Sequence, residues 1–251
     1  MLPIGHRLVR LPETPSTIDV ARTLADEGAE HGTVVLADRQ TAGRGRRGRQ
    51  WTTVPGKSLA MTAILREFPE VEYVGLAGMS AALAVVRVVN GGPDGACGAM
   101  RPLQTKWPND VVAEGRKLAG TLAELHGEAL LLSLGLNING AEADLPADLR
   151  HTATTLELLL GRPLEREQIT AGVLAALDDC WQTLLSSPGK LVAEWETLDT
   201  TVGKEVEVRG GSGAAILGRG RALGVDPQGR LRVLTAEGKE LLFDAGDVTL
   251  A

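Results

Sequence analysis

Residues 103–139 read LQTKWPNDVVAEGRKLAGTLAELHGEALLLSLGLNIN and hold four apolar segments in close succession. Each segment has the length and composition of a β-strand, and the four span residues 103–107, 110–113, 117–125 and 129–139. Two of the links, Glu114-Gly115 and Gly127-Glu128, have the residue types of tight turns. Strands joined by tight turns pair antiparallel. This stretch predicts an α+β domain, with a mixed, mostly antiparallel sheet packed with helices, rather than a doubly wound domain.

The chain upstream of this stretch alternates between helix and strand patterns. Ser16-Thr17 have the residue types of a helix N-cap, and Asp19 places a negative charge in the first turn, where it suits the helix dipole. Gly28 is expected to end this helix. We further expect strands over 33–38 and 58–65, and a buried helix over 72–90.

The type of predicted secondary structure changes near Val202. Before that point the patterns predict helices over 154–160, 166–185 and 190–199. After it, short strands are divided by Gly-containing turns, which is typical of a small all-β barrel of roughly fifty residues. We therefore expect a catalytic domain over residues 1–200 and a small barrel domain over residues 201–251.

Composition excludes several classes of protein. The chain has 251 residues, is 43% hydrophobic and 23% charged, and carries a net charge of −6, so it is not a general binder of polyanions. Its two cysteines, Cys97 and Cys180, do not make a disulfide framework. The N-terminus lacks the apolar core of a signal peptide, and no uninterrupted apolar run suggests a membrane span. A cytoplasmic protein is expected.

The segment Arg39–Arg49 reads RQTAGRGRRGR, and Trp51 follows it closely. Five arginines and three glycines occur in eleven residues. Glycine lets a backbone approach a ligand closely, and arginine offers a planar fork of donors that stays charged. On an acidic protein this composition predicts a local positive site for phosphate or another anion.

The loop has three other interpretations. Gly43–Gly48 matches the dinucleotide-binding pattern G-x-G-x-x-G, but the following residues include Pro55 and Gly56 and cannot form the helix that pattern requires. Arg/Gly-rich segments that bind nucleic acid are usually longer and carry interleaved aromatic residues. A solvated charged loop remains the alternative to a loop that becomes ordered over a phosphate or an adenylate.

The segment KWPND (106–110) is compact and unusual. Pro108 prevents the strand from continuing, so Asn109 and Asp110 lie at a strand edge. There they can donate or accept hydrogen bonds or help to hold a divalent cation with phosphate oxygens. An ordinary Pro-Asn-Asp turn is the alternative. Lys117 and Asn137 also follow turn or strand-end patterns, and the residues alone assign neither a role.

Taken in order, these segments resemble the biotin protein ligases, the biotin–[acetyl-CoA-carboxylase] ligase family. The resemblance is carried by Ser16-Thr17, by Gln40–Arg49 with Trp51, by KWPND (106–110), by RKLAG (116–120) and by GLNIN (135–139). It implies a fold like that of class II synthetases and biotin–lipoate ligases, followed by an SH3-like barrel. It also implies an enzyme that uses ATP and Mg²⁺, makes biotinyl-5′-AMP from biotin, and transfers the biotinyl group to a lysine of a biotin carboxyl carrier protein.

The resemblance further implies a set of site residues. Those matching biotin-binding positions are Ser16, Thr17, Gln40, Gly43, Arg44, Gly45, Arg46 and Lys117. Those matching ATP- or adenylate-binding positions are Arg46, Arg47, Gly48, Arg49, Trp51, Asn109, Asp110 and Asn137. Lys117 and Arg46 are implied as catalytic, and Asp110 as the residue that meets the metal.

Two features depart from the family pattern. Ile18 follows Ser-Thr where the family usually has asparagine, so we assign Ile18 no polar role. The Ser-Thr segment begins at residue 16, which leaves no room in this sequence for the helix-turn-helix of some family members, so we expect a ligase without repressor function or nucleic-acid partner. One rival hypothesis is a nucleic-acid-binding regulator that uses the arginine-rich loop and the barrel, and a nearer rival is a lipoate ligase of related fold. Whether the protein is a monomer or a homodimer stays open.

Overall fold

The computed structural model describes residues 1–66, 68, 73–91, 102–210 and 215–250. A seven-stranded sheet with the order β1-β2-β3-β7-β6-β5-β4 forms the larger part of the molecule. Its strands are β1 Arg7–Thr14, β2 Thr33–Gln40, β3 Ser58–Leu65, β4 Gln104–Lys106, β5 Asp110–Ala113, β6 Arg116–His126 and β7 Ala129–Asn137. Strands β4 to β7 form the antiparallel hairpins that residues 103–139 predict.

The sheet is mixed, as expected, because β1 runs parallel to β2 while the other neighbouring strands are antiparallel. The sequence pattern does not predict strand β1. It is an edge strand with mostly exposed or half-buried side chains, so it lacks a strong apolar signal.

Helices cover the two faces of the sheet unequally. They are α1 Thr17–Asp26, α2 Val74–Gly91, α3 Leu156–Leu160, α4 Arg166–Ser186 and α5 Pro188–Leu198. Helices α2, α4 and α5 pack against one another, and α2 lies on strands β4 to β7. Helix α1 lies on the opposite face, where its main contacts are with β2, β3 and β7 and not with β4 or β5. The open part of this second face is where the cavity described below lies.

Helix α2 corrects one expectation from the sequence. With 18 residues and a mean hydropathy of 1.5 it is long and apolar enough to cross a membrane, although we expected no such segment. Its Leu76, Leu83 and Val85 are fully buried against the sheet and the neighbouring helices. Its apolar composition is therefore that of a core helix.

The second unit is a five-stranded antiparallel sheet with the order β11-β10-β9-β8-β12. Its strands are β8 Glu205–Gly210, β9 Ala215–Val225, β10 Leu231–Leu234, β11 Glu240–Phe243 and β12 Asp247–Leu250. The expected α+β class, followed by a small β unit, is confirmed. Strand β12 was not predicted, and the proposed boundary after residue 200 stays a prediction.

Trp107 joins the two units. Its side chain is fully buried, and its Nε1 donates a hydrogen bond of 2.9 Å to the carbonyl of Gly229 in the second unit. The carboxylate of Asp199, in the connection between the units, accepts a hydrogen bond from Thr201 Oγ1. Burial raises the pKa of Asp199 to about 6. Trp107 thus ties the KWPND turn to the second unit.

The cysteines take no part in this junction. Cys180 is buried in the core, and burial raises the pKa of its thiol to about 12, so it is an inert core residue. Cys97 lies outside the described residues.

Candidate active site

A cavity of about 320 Å³ opens on the face of the sheet that α1 covers only in part. Its walls come from the start of α1, the arginine-rich loop after β2, the KWPND turn, strands β6 and β7, and β12 of the second unit. Twelve of the fifteen predicted site residues line it: Ser16, Thr17, Gln40, Arg44, Gly45, Arg46, Arg47, Arg49, Trp51, Asn109, Asp110 and Lys117. Segments distant in sequence therefore meet at one place.

Three predicted residues do not line the cavity. Gly43 and Gly48 belong to the arginine-rich loop and shape its backbone: a Cβ on Gly43 would lie 2.3 Å from the carbonyl oxygen of Trp51, so only glycine fits there. Asn137 is buried at the end of β7, and its Nδ2 donates to the carbonyl of Thr154 at 3.1 Å. In the structure Asn137 thus holds the segment that carries Thr154. Its role on the adenylate side stays a prediction.

One end of the cavity is polar and uncharged. Gln40 Oε1 accepts hydrogen bonds from the backbone N–H of Thr17 at 2.9 Å, from Thr17 Oγ1 at 3.1 Å and from Ser16 Oγ at 3.5 Å. Ser16 is the N-cap residue of α1, as predicted, but its side chain makes no capping hydrogen bond. Gln40 therefore satisfies one of the free N–H groups at the helix start, which fixes both hydroxyl residues in the cavity wall.

A chain of hydroxyl groups continues from this end under the cavity floor. Thr17 Oγ1 lies 2.8 Å from Thr62 Oγ1, which lies 2.8 Å from Ser133 Oγ. Thr62 is fully buried, whereas Ser133 lines the cavity. Sequence reasoning missed Thr62 and Ser133 because they stand as single polar residues within apolar strands.

An irregularity in the β5–β6 hairpin directs Lys117 into the cavity. Asp110 pairs with Gly120, but Val112 pairs with Lys117 because the register shifts by one residue. Cross-strand partners share a face of the sheet, so the extra residue, Leu118, brings Lys117 to the same face as Asp110. Without this bulge the lysine would point into the core beneath α2.

Lys117 and Asp110 form a pair at the second end of the cavity. Lys117 Nζ lies 2.7 Å from Asp110 Oδ1 and 5.7 Å from the centre of the Trp51 ring. Beside them, Asn109 Oδ1 accepts a hydrogen bond of 3.3 Å from Arg46 Nη1, and Asn109 Nδ2 donates to the carbonyl of Thr121. The cavity is therefore neutral and hydroxyl-rich at one end and charged at the other.

The arginine-rich loop forms a compact roof. Gly45 N donates to Arg49 O at 2.7 Å, and Trp51 N donates to Gly43 O at 2.9 Å, so the loop folds back on itself. Burial, followed in size by the neighbouring Arg47, lowers the pKa of Arg46. An arginine nonetheless remains charged, so the loop holds cations close together at a cost that an anionic ligand would relieve.

Trp51 lies directly on the cavity floor. Its ring contacts the backbone of Gly135 and approaches Gly120, two glycines on adjacent strands that leave room for it. Among the described residues, the buried Nε1 of Trp51 has no hydrogen-bond partner. A ligand in the cavity could therefore accept a hydrogen bond from this indole.

The cavity also includes residues from the second unit that sequence reasoning missed. Asp247, Val248 and Thr249 of β12 form part of its wall. Asp247 pairs with Arg49, and its Oδ2 lies 3.7 Å from Arg47 Nη1. The unpredicted strand β12 thus places a carboxylate against the arginine-rich loop.

Within the ranges that the structure describes, no three Asp, Glu, His or Cys side chains lie close enough to hold a metal ion by themselves. Asp110 is the carboxylate beside the charged end of the cavity, next to the amide oxygen of Asn109. Mg²⁺ in nucleotide sites takes one or two carboxylates and obtains its other ligands from phosphate and water. The residues present therefore fit a magnesium ion that arrives with a nucleotide.

Comparison with known proteins agrees with this arrangement. Residues 11–139 match the model of the biotin/lipoate A/B protein ligase family, and residues 201–250 match that of the biotin protein ligase C terminal domain. The chain belongs to the biotin/lipoate A/B protein ligase family. The resemblance inferred from the sequence motifs is thus confirmed.

Relatives within this family extend over almost the whole chain. The biotin–[acetyl-CoA-carboxylase] ligase of Mycobacterium tuberculosis is 33% identical over 94% of this chain and 86% of its own length. The bifunctional ligase/repressor BirA of Bacillus subtilis is 31% identical over 96% of this chain and 74% of its own length. The structure of the biotin protein ligase from Aquifex aeolicus in complex with biotin and ATP superposes with a TM-score of 0.81 at 27% identity, covering 98% of this chain and 100% of that one.

Proposed function

We propose that this member of the family is a biotin ligase that activates biotin with ATP as biotinyl-5′-AMP and transfers the biotinyl group to a lysine of a biotin carboxyl carrier protein. The observation that carries the proposal is the two-ended cavity. A hydroxyl and amide network at one end suits a polar uncharged head group, and the lysine, aspartate and arginines at the other end suit a carboxylate beside phosphates.

The hydroxyl-rich end would bind the ureido ring of biotin. This ring presents one carbonyl acceptor and two N–H donors, and the side chains of Ser16, Thr17 and Gln40 offer both donors and acceptors there. Ser133, oriented through Thr62, adds a further hydroxyl. The dithiolane ring of lipoate has no N–H or carbonyl group and would leave this network unpaired, which costs binding energy. We therefore favour biotin over lipoate.

The charged end would bring two anions together. A carboxylate oxygen of biotin attacks the α-phosphorus of ATP, and the bond from that phosphorus to the bridging oxygen breaks to release pyrophosphate. Both reactants are negatively charged, so cations must offset their repulsion. Lys117 lies at this position as a point charge, Arg46 adds a planar donor, and Asn109 orients that arginine. We assign Lys117 and Arg46 the catalytic roles.

Asp110 would hold Mg²⁺ together with the phosphate oxygens of ATP, and the ion would supply further positive charge to them. The ion pair of 2.7 Å occupies Lys117 in the structure described here, so the lysine would have to part from Asp110 before it meets the biotin carboxylate.

The arginine-rich loop would protect the product of the first step. A mixed anhydride reacts with water, so a closed roof preserves it until the carrier arrives. In the second step the amine of the carrier lysine attacks the biotinyl carbonyl carbon, AMP leaves, and the amine loses a proton to form the amide. Arg47, Arg49 and Trp51 of the loop are the residues that we propose as contacts to the adenylate.

Release of pyrophosphate tests the first step. The purified protein with biotin, ATP and Mg²⁺ should release pyrophosphate, and replacing biotin with lipoate or octanoate should reduce the rate by at least tenfold. Equal or faster release with lipoate would identify a lipoate ligase instead.

Absence of repressor function and a cytoplasmic location stay predictions. Specific binding of the biotin-loaded protein to DNA fragments from its own genome would contradict the absence of repressor function.

A further inference from the structure

Two arginines of the loop converge on one carboxylate from the other unit of the protein. Arg49 Nη2 forms an ion pair with Asp247 Oδ2, and Arg47 Nη1 lies 3.7 Å from the same oxygen. Arg47 Nη1 also donates to the carbonyl of Arg209 at 3.1 Å. The loop and Asp247 are about two hundred residues apart in sequence, so the fold alone brings them together.

The backbone of the loop needs such a restraint. Arg47 has φ 58 and ψ 37, a left-handed conformation that residues other than glycine rarely adopt. It stands among arginines whose like charges repel one another; burial first, and then the charge of Arg47, lowers the pKa of Arg46. Local strain of this kind persists when surrounding contacts hold it. Those contacts are made here by β8 and β12, the strands that carry Arg209 and Asp247.

We propose that Asp247 is a positioning residue that holds Arg47 and Arg49 over the cavity before ligand binds and slows the escape of the acyl-adenylate afterwards. Its carboxylate pairs with these arginines in the ligand-free loop, and phosphate oxygens would pair with them once the adenylate is bound. The roof of the cavity is thus built by both units, which gives the C-terminal sheet a task in the reaction. The part of this proposal that concerns the adenylate rests on the proposed function.

Trypsin tests the restraint without any ligand, because it cleaves after the arginines of the loop itself. When opening is fast compared with cleavage, the rate of cleavage follows the open fraction of the loop. Asp247→Asn should raise the initial rate of cleavage after Arg44 by about three- to tenfold, the range expected for a partly exposed pair of ion contacts. Asp247→Glu should restore the rate to within about twofold of wild type.

A matched control comes from the same sheet. Glu240→Gln removes the partner of Arg232, whose Nε lies 2.7 Å from Glu240 Oε1, away from the cavity. This variant should be cleaved in the loop at the wild-type rate. If Asp247→Asn lowers the melting temperature, Arg49→Gln tests the same contact from the exposed side, and it should raise cleavage after Arg44 by a similar factor. Unchanged cleavage in both variants, or an equal rise in Glu240→Gln, would overturn the proposal.

Retention of the intermediate tests the second half. With biotinyl-AMP already bound, Asp247→Asn should lose it about three- to tenfold faster than wild type, as judged by a dissociation assay, because the pair of ion contacts that holds the loop closed is gone. Retention as long as that of wild type would overturn the role in the reaction. A wild-type protein that releases no pyrophosphate with biotin would instead contradict the proposed function, while the trypsin result would still decide whether Asp247 holds the loop.

Discussion

Gly135→Ala is the substitution for which the structure gives the sharpest expectation. A Cβ added at Gly135 would lie 2.2 Å from Cε2, 2.5 Å from Nε1 and 2.6 Å from Cζ2 of Trp51. All three distances are shorter than 3.0 Å, and real Cβ atoms essentially never make contacts that short. Gly135 is in the central strand β7, which cannot move, so the indole of Trp51 must leave the cavity floor.

The size of the effect follows from the cost of overpacking. Inserting a methyl group into a packed site costs about 1–3 kcal/mol. Because the loop that carries Trp51 can shift, most of this cost should appear in the closed, ligand-binding state rather than in global stability. An affinity loss for biotin of roughly 5- to 150-fold corresponds to the same energy. The melting temperature should fall by only a few degrees.

Two measurements check this expectation. Trp107, Trp181 and Trp195 have exposures of 1%, 0% and 0%, so quenching of tryptophan emission by acrylamide reports mainly on Trp51. Quenching should increase in Gly135→Ala, and titration calorimetry should show the weaker biotin binding. Unchanged quenching together with unchanged biotin affinity would refute the position that we give to Trp51.

Two further glycines provide a graded comparison. A Cβ on Gly120 would lie 3.0 Å from Cε and Nζ of Lys117, the flexible end of a side chain that can move aside. Gly120→Ala should therefore have a smaller effect on biotin binding than Gly135→Ala. Gly189, in α5, has no described atom within 4 Å of the added Cβ, so Gly189→Ala should bind biotin as wild type does.

Four other outcomes are expected. Lys117→Ala should lower the rate of biotin-dependent pyrophosphate release by at least a hundredfold, because the cation between the two anions is lost. Arg46→Gly should shorten the lifetime of bound biotinyl-AMP about tenfold or more, as judged by a dissociation assay, while leaving the fold intact. Thr62→Val should weaken biotin binding about tenfold without preventing folding, because one buried hydroxyl link is lost. The free energy of unfolding should fall as pH rises from about 4 to 6 because of Asp199. Its pKa is raised to about 6 in the folded protein, so over this range the folded protein still binds a proton that the unfolded chain has already lost.

The outcomes for Lys117, Arg46 and Asp199 each have a control or a contrary result. Lys57→Ala removes an exposed lysine that pairs with Asp144 outside the cavity and should keep wild-type activity. Near-normal activity of Lys117→Ala, or equal retention of the adenylate by Arg46→Gly, would remove that residue from the proposed mechanism. For Asp199, the unfolding free energy of wild type relative to Asp199→Asn should fall by about 1–3 kcal/mol between pH 4 and pH 7. A difference that does not vary with pH would show that this carboxylate is not buried as described.

Local sequence signals were strongest where turns are short. The hairpins of residues 103–139 and the end of α1 at Gly28 follow from turn residues and apolar periodicity, and both are confirmed. Strands β1 and β12 could not be predicted in the same way. Strand β1 is a mostly exposed edge strand, and β12 has only four residues, so their positions depend on pairing with distant strands.

The candidate site was predictable where the residues form compact motifs. Twelve of its predicted members line one cavity, although no sequence pattern showed that they would meet. Thr62 and Ser133 escaped notice because a lone hydroxyl within an apolar strand has no motif. The bulge that turns Lys117 toward Asp110 depends on how two strands pair, and Asp247 depends on how the two units dock. These features are tertiary, and single-sequence reasoning has no access to them.

Transfer of biotin to a carrier tests the central proposal most directly. The purified protein should be incubated with biotin, ATP, Mg²⁺ and an isolated biotin carboxyl carrier domain, and the carrier analysed by intact mass and peptide mapping. We expect one biotinyl group on a single lysine, dependent on ATP and lost when Lys117 is replaced by alanine. A folded protein that leaves the carrier unmodified and releases no pyrophosphate with biotin would contradict the proposal.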